Sequence, residues 1–120
     1  MSAVEAKTRD VYKTIDTMSG TRFAEFLTSD GTFVFGNADP VSGREAVAAY
    51  VDHFFSVIAG IRHDVQDVWV AGDCVISRFK VTYTRKQGDQ MTFPGVNVWR
   101  MHGDLIADYR IYLDNTPLWS

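Results

Sequence analysis

Cysteine is almost absent from this sequence: Cys74 is the only one among 120 residues. No intrachain disulfide can form, and nothing in the cysteine content points to an oxidising compartment. Lysine and arginine form no run and the net charge is −3, which argues against nucleic acid or an anionic membrane as the main partner. No apolar run reaches the length of a membrane span or of a signal-peptide core, so we expect a cytoplasmic protein.

The sequence also lacks the local motifs of several well-known catalytic sites. No two of its three histidines have the spacing of a metal-binding pair, so a metal site would have to be assembled from distant residues. Glycine-rich phosphate loops and serine nucleophile elbows are absent. We therefore expect no metal and no other cofactor.

Apolar residues make up 46% of the chain, which is enough for one hydrophobic core, so we expect a single domain over residues 1–120. An apolar stripe at helical spacing from Val4 to Met18 predicts a first helix. Apolar residues within 23–27 predict a short second helix. Residues 32–35 are β-branched and aromatic, which predicts a short strand.

A third helix is the clearest element of the sequence. A turn rich in glycine and proline, over residues 36–43, precedes it. Ser42 is a good N-cap, and Glu45 three residues later would complete a capping box. Apolar residues then recur at helical spacing up to Ile58, and Gly60 ends the helix.

From Ile61 onward the apolar pattern has a period of two. Three turns that each contain Gly-Asp divide this part into four runs of similar length, which predicts an antiparallel meander of four strands. Proline cannot donate to a sheet ladder, so Pro94-Gly95 in the third run predicts a bulge or an edge position with a bend in the sheet. Three helices followed by such a meander make an α+β fold with helices packed on one sheet face.

Alternation along the meander separates two faces of the sheet. In the second long strand, Phe79 and Tyr83 point one way, while Arg78 and Lys80 point the other. In one interpretation the apolar faces pack against the helices and the polar faces meet solvent. In the other, the polar faces line a cavity beneath the helices and the apolar faces form a dimer interface. A bulge near Pro94 would reverse the alternation, so the pattern leaves both interpretations open.

Several local features of the chain resemble one superfamily. They are Asp30-Gly31-Thr32, the Pro40-x-x-Gly43 turn, His63-Asp64-Val65 and the last strand from Asp108 to Asp114. With the order of elements, they make the chain similar to the nuclear transport factor 2-like superfamily, and within it to the SnoaL-like group of cyclase-related proteins. The resemblance implies a cone-shaped α+β fold with three N-terminal helices packed on a strongly bent, mainly antiparallel sheet. It also implies a homodimer formed through the sheet. Members include steroid isomerases, epoxide hydrolases, polyketide cyclases, dehydratases and proteins without catalytic activity.

Phe35 stands where the resemblance places the general-base aspartate of the steroid isomerases. A phenyl ring cannot move a proton, so that mechanism is not expected here. The oxyanion-hole acid of those enzymes falls at Asn97, whose amide can donate a hydrogen bond without any shifted pKa. Their phenolic donor has a counterpart in Tyr12. Asn97 and Tyr12 could equally be buried structural partners.

Arg78, Asp114 and His63 relate to other reactions of the superfamily. Arg78 matches the arginine of the epoxide hydrolases, but Lys80 stands where a carboxylate is required, so that reaction is disfavoured. SnoaL-type cyclases use an aspartate near the end of the last strand, which resembles Asp114. An apolar cavity would raise the pKa of Asp114 and make it a general base, whereas an exposed strand-end residue would have no such role. His63 begins a strand and is a second candidate acid or base, or else a half-buried structural histidine.

The first hypothesis is therefore an enzyme of cyclase, isomerase or dehydratase type with an internal pocket for a small apolar or carbonyl-bearing molecule. The predicted catalytic residues are Asp114, His63, Asn97 and Tyr12, and the predicted substrate-binding residues are Arg78, Trp99, Phe35 and Tyr112. In this hypothesis Asp114 or His63 moves the proton and Arg78 binds an anionic substituent. The alternative is a non-catalytic ligand-binding or dimeric assembly module. The hypotheses differ in whether Asp114, His63 and Asn97 converge on an enclosed pocket.

Overall fold

Helices and strands are mixed in the first half of the chain, and long strands dominate the second. The computed structural model describes residues 2–120. Its helices are α1 (Ala3–Ile15), α2 (Gly20–Ala24) and α3 (Arg44–Ser56), and a 3₁₀ helix covers Thr116–Trp119. Its strands are β1 (Leu27–Phe35), β2 (Val41–Ser42), β3 (Gly60–Ala71), β4 (Cys74–Thr84), β5 (Gln90–His102) and β6 (Leu105–Tyr112). Within residues 2–120, none of the helices combines the length and the apolar character needed to cross a membrane.

Helix α1 begins where the sequence supplies a cap. The Ser2 side chain accepts a hydrogen bond from the backbone N–H of Glu5 at 3.1 Å, which satisfies a free donor of the first turn. Val11 and Tyr12 lie on the buried face, which packs against β3. The helix ends with Asp16 as its C-cap, earlier than the apolar stripe predicts.

Helix α3 forms without the predicted capping box. Its N-cap is Gly43, which has a φ of 92° and makes no side-chain hydrogen bond. Ser42 is not the cap, because it lies in β2 and pairs with Thr32 of β1. A positive φ strongly favours glycine, so Gly43 makes the turn from β2 into the helix.

The six strands form one sheet in the order β2-β1-β6-β5-β4-β3. Strands β3 to β6 are the predicted antiparallel meander. Strand β1 runs parallel to β6 and antiparallel to β2, so the sheet is mixed. The expectation of three helices ahead of the sheet needs correction, because β1 and β2 separate α2 from α3. A parallel pair requires a long connection, and α3 with the meander supplies it.

The apolar face of the meander packs against the helices, as in the first interpretation. Phe79 and Tyr83 are buried, whereas Arg78 and Lys80 beside them are exposed. The interpretation with polar faces beneath the helices is wrong. The apolar face therefore both closes the core and supplies the walls of any cavity within it.

A bulge changes the alternation in β6. Ile106 and Tyr109 are both buried although they are three residues apart. The register between β5 and β6 shifts between Arg100 and Met101, so one extra residue of β6 is accommodated there. The alternation of inward- and outward-facing side chains in β6 is therefore reversed after the bulge.

Pro94 and Gly95 lie within a continuous β4–β5 ladder, opposite Lys80 and Phe79. The predicted bulge does not occur at this point of the ladder. The predicted edge position is confirmed, because β6 pairs with β5 only from Val96 onward. Gly95 has a packing role, since a Cβ at this position would lie 2.6 Å from Cζ of Phe79.

We expect Gly95→Ala to destabilise the fold by about 1–3 kcal/mol, because overpacking displaces buried neighbours. Urea unfolding followed by circular dichroism measures the change. Gly60→Ala is the matched control, since a Cβ there first meets Thr84 Oγ1 at 3.4 Å, an ordinary contact. Equal unfolding midpoints for the two variants would contradict this role of Gly95.

Candidate active site

A cavity of about 460 Å³ lies between the helices and the apolar face of the sheet. Its volume is in the range of small-molecule sites. Ten lining residues are aromatic: Phe23, Phe33, Phe35, Tyr50, Phe54, Phe55, Phe79, Tyr83, Tyr109 and Trp119. Six are aliphatic (Ile15, Val51, Val57, Ile61, Ile111 and Leu113), and the others are His53, His63, Asn97 and Asn115. A bound molecule would therefore be surrounded mainly by rings, with few polar groups to orient it.

The lining contains no carboxylate, lysine or arginine among residues 2–120. Burying an unpaired ion is costly, so the cavity suits an uncharged molecule. No three His, Cys, Asp or Glu side chains of the described chain lie close enough together to hold a metal ion.

His63 lies in the cavity wall and is held by the carboxylate of Asp16. The backbone N–H of His63 donates to Oδ2 of Asp16 at 2.9 Å, and ring Nδ1 lies 2.7 Å from Oδ1. The His63 side chain is 8% exposed and that of Asp16 is 22% exposed, so water screens the pair only in part. The rings of Tyr12 and Phe79 contact the imidazole, with centroids 5.0 and 5.1 Å away. The imidazole is thus fixed in position and orientation.

The carboxylate at Nδ1 determines which imidazole nitrogen is free for chemistry. When Nδ1 carries the proton and donates a hydrogen bond to Asp16, Nε2 keeps its lone pair. Residues 2–120 offer Nε2 no hydrogen-bond partner. In this arrangement Nε2 can accept a proton from a bound molecule while Asp16 stabilises the imidazolium that forms.

Sequence patterns did not identify Asp16 as a functional residue. It is separated from His63 by 47 positions, and the predicted first helix extends past it. The local signal is weak: a carboxylate near a helix C-terminus is electrostatically unfavourable, but this does not identify His63 as its partner.

Asn97 lines the cavity and belongs to a group of buried polar side chains. Its Nδ2 donates to the hydroxyl of Tyr109 at 3.0 Å, whereas its buried Oδ1 has no partner within residues 2–120. Ser77 lies opposite Asn97 on β4 and is hydrogen-bonded to the hydroxyl of Tyr12 at 2.5 Å. Asn97 therefore keeps Oδ1 as a free acceptor for a ligand, and Tyr109 uses only one of the two N–H groups on Nδ2.

Tyr12 is buried beside the cavity and is not part of its lining. Burial raises the pKa of Tyr12 and of Tyr109 well above the ordinary value of a phenol, and hydrogen bonds to neighbours lower it by less. Both hydroxyls keep their protons near neutral pH, so neither is a general base. The predicted role of Tyr12 as a donor to substrate does not fit, because its side chain is buried and does not line the cavity.

Asp114 lies outside the cavity, shortly before the 3₁₀ helix. Its Oδ1 accepts hydrogen bonds from the backbone N–H and the hydroxyl of Thr116, at 3.1 and 2.7 Å. These bonds lower the pKa of Asp114 below its ordinary value, which is the opposite of the rise expected in an apolar cavity. Of the three residues expected to converge, His63 and Asn97 line the cavity and Asp114 does not.

Phe35 is the only predicted substrate-binding residue in the lining of this cavity. Trp99 is buried, with its indole against the rings of Tyr12 and Tyr109 at centroid distances of 5.8 and 5.1 Å. It borders a second, smaller cavity of about 240 Å³. Trp99 therefore supports the rings behind the main cavity and does not line it.

Arg78 and Tyr112 lie on the outer face of the sheet, on the side away from the cavity. Nε of Arg78 donates to Asp67 at 2.8 Å, and Tyr112 is 53% exposed. Both lie opposite Val96 in the ladder, one residue from the inward-facing Asn97. The predicted contacts with substrate do not fit, because alternation along each strand turns these side chains outward.

Comparison with known proteins agrees with this architecture. The family model of the SnoaL-like domain matches residues 8–109 of the chain. The chain belongs to the SnoaL-like family. No curated protein matches it. The nuclear transport factor 2-like fold of this SnoaL-like protein is shared by solved structures of low sequence identity.

One is a hypothetical protein with a ketosteroid isomerase-like fold from Catenulispora acidiphila, in complex with trimethylamine. It has a TM-score of 0.85 and 16% identity, over 92% of this chain and 86% of that one. A second is a nuclear transport factor 2-like protein of unknown function from Burkholderia pseudomallei, with a TM-score of 0.86 and 18% identity over 98% and 95%. A third, from Jannaschia, is assigned by similarity to the SnoaL-like polyketide cyclases, with a TM-score of 0.77 and 18% identity over 99% and 93%.

The Tyr12–Ser77 hydrogen bond should stabilise the fold of this SnoaL-like protein. We expect Tyr12→Phe to lower the free energy of unfolding by about 1–3 kcal/mol, because it leaves the buried Ser77 hydroxyl unpaired. Adding Ser77→Ala should recover much of that loss, since neither polar partner then remains. Urea unfolding of the two single variants and the double variant measures the coupling. Strictly additive effects would contradict the interaction.

Proposed function

We propose that this SnoaL-like protein binds a small apolar, carbonyl-bearing molecule in the cavity and catalyses proton transfer on it. Such a step is common to cyclases, isomerases and dehydratases. The observation that carries the proposal is the Asp16–His63 pair, with Nδ1 2.7 Å from the carboxylate, in the wall of an aromatic cavity. The resemblance of structural neighbours to polyketide cyclases and isomerases supports the same class.

In the proposed reaction, Nε2 of His63 takes a proton from the carbon beside the carbonyl group. The electron pair of the broken C–H bond moves to the carbonyl oxygen and produces an enolate. The imidazolium beside Asp16 then returns the proton to carbon or delivers it to the oxygen. The enol form carries an O–H donor, for which the free Oδ1 of Asn97 is a suitable acceptor.

Deuterium exchange tests this function without knowledge of the natural substrate. Methyl 2-naphthyl ketone is an uncharged aromatic ketone whose methyl protons exchange slowly with D₂O. We expect the protein to accelerate this exchange, and His63→Gln to reduce the acceleration about a hundredfold, the usual contribution of a general base. Proton NMR of the ketone measures the rate.

Two further variants make the test specific. Asp16→Asn should also slow the exchange, because the amide no longer fixes the proton on Nδ1. Asp114→Asn should leave the rate unchanged, since that carboxylate lies outside the cavity. Full exchange in a folded His63→Gln variant would overturn the proposal, and a loss confined to Asp114→Asn would favour Asp114 as the base.

We also propose that two copies of the protein pair through the outer face of the sheet. Trp69 and Tyr112 on this face are about half exposed, and the ion pairs of Arg78 and Arg110 with aspartates place both signs of charge beside them. A surface with exposed apolar side chains and both signs of charge can pair with the same surface of a second copy across a two-fold axis.

Replacing both Trp69 and Tyr112 by lysine should give a monomer, because like charges would then face each other across the interface. Sedimentation equilibrium measures the mass. Val4→Lys is the control, since Val4 is also partly exposed but lies on α1. The pairing would be refuted by a dimer that persists in the double variant, or by a monomer in the unmodified protein.

A further inference from the structure

The mouth of the cavity lies between α3 and the 3₁₀ helix. Four residues both line the cavity and are exposed to solvent. Tyr50, His53 and Val57 belong to α3 and its C-cap, whereas Trp119 comes from the 3₁₀ helix. Trp119 is 55% exposed, so its indole touches both the cavity and the solvent.

The Trp119 indole is half exposed and has one aromatic neighbour within residues 2–120. Its indole packs edge-on against Phe54, with centroids 6.1 Å apart, and Phe54 packs in the same way against Tyr83 at 5.8 Å. Phe54 is the only aromatic ring in contact with this indole among residues 2–120. Exposed side chains change rotamer within nanoseconds, and more than half of the Trp119 surface meets solvent.

The backbone of the 3₁₀ helix is held firmly by comparison. Leu118, next to Trp119, is only 3% exposed and belongs to the core. The side chain of Asp114 accepts a hydrogen bond from the backbone N–H of Thr116, the first residue of the helix. At the other end, Nη1 of Arg85 donates to the carbonyl oxygen of Ser120 at 3.2 Å. The indole can therefore move at the mouth while the helix that carries it stays in place.

We propose that Trp119 is the gate of the cavity: its indole covers a bound apolar ligand and swings aside to admit or release it. This proposal rests on the proposed function in one respect, because the cavity must bind a small molecule. It adds a residue that determines how fast ligands enter and leave. Edge-to-face contact with the indole would favour aromatic ligands over aliphatic ones of similar size.

Stopped-flow fluorescence with N-phenyl-1-naphthylamine tests the gate. This uncharged aromatic dye becomes bright in apolar surroundings, and it should bind the unmodified protein. We expect Trp119→Ala to raise both the association and the dissociation rate by about five- to tenfold, because an open mouth speeds passage in both directions. Trp119→Phe should give rates near those of the unmodified protein.

Val4→Ala is the control, because Val4 is 40% exposed on α1 and does not line the main cavity. Its association and dissociation rates for the dye should equal those of the unmodified protein. A rise in the dissociation rate alone would overturn the gate and make Trp119 a simple contact, as would rates equal to those of the unmodified protein. Failure of the unmodified protein to bind the dye would overturn the cavity as a binding site together with the gate. The deuterium-exchange result for His63 is independent of these rates, so failure of the gate alone leaves the proposed reaction standing.

Discussion

The carboxylate of Asp16 connects the end of α1 to the start of β3, and the candidate active site depends on this connection. One oxygen accepts the backbone N–H of His63 and the other meets its imidazole. Hydrogen bonds to an ionised acceptor are stronger than neutral ones, which offsets the unfavourable position of a carboxylate at a helix C-terminus. The same two bonds dock the helix on the sheet and orient the ring toward the cavity.

Packing behind the imidazole comes from the sheet itself. Gly95 lies opposite Phe79 and leaves room for its ring, and Phe79 then contacts both His63 and Tyr12. Side chains from α1, β3 and β4 thus determine the position of the imidazole. Strand β5 takes part through Gly95, which has no side chain and so leaves space for Phe79. A site built on such rigid elements keeps its geometry better than one carried by loops.

The polar groups of the core divide into two sets with different tasks. The hydroxyl of Tyr12 is satisfied by Ser77, and that of Tyr109 accepts a bond from Asn97, so both mainly hold the structure together. The imidazole of His63 and Oδ1 of Asn97 retain unused hydrogen-bonding capacity beside an otherwise apolar space. A cavity without ionic side chains in its described lining favours chemistry on uncharged molecules. The fold alone does not choose the reaction, because SnoaL-like and related proteins share it across many activities.

The sequence by itself determined the α+β class, the meander and the approximate place of each helix, because periodicity and turn residues act over a few neighbouring positions. It also placed His63, Asn97 and Phe35 among residues that do line the cavity. Only the tertiary structure decided the rest. The pairing of Ser42 with Thr32 removed the predicted cap, and outward-facing positions separated Arg78 and Tyr112 from the cavity. Asp16 became visible as the partner of His63 only when the end of α1 met β3, since no local pattern relates residues so far apart in the chain.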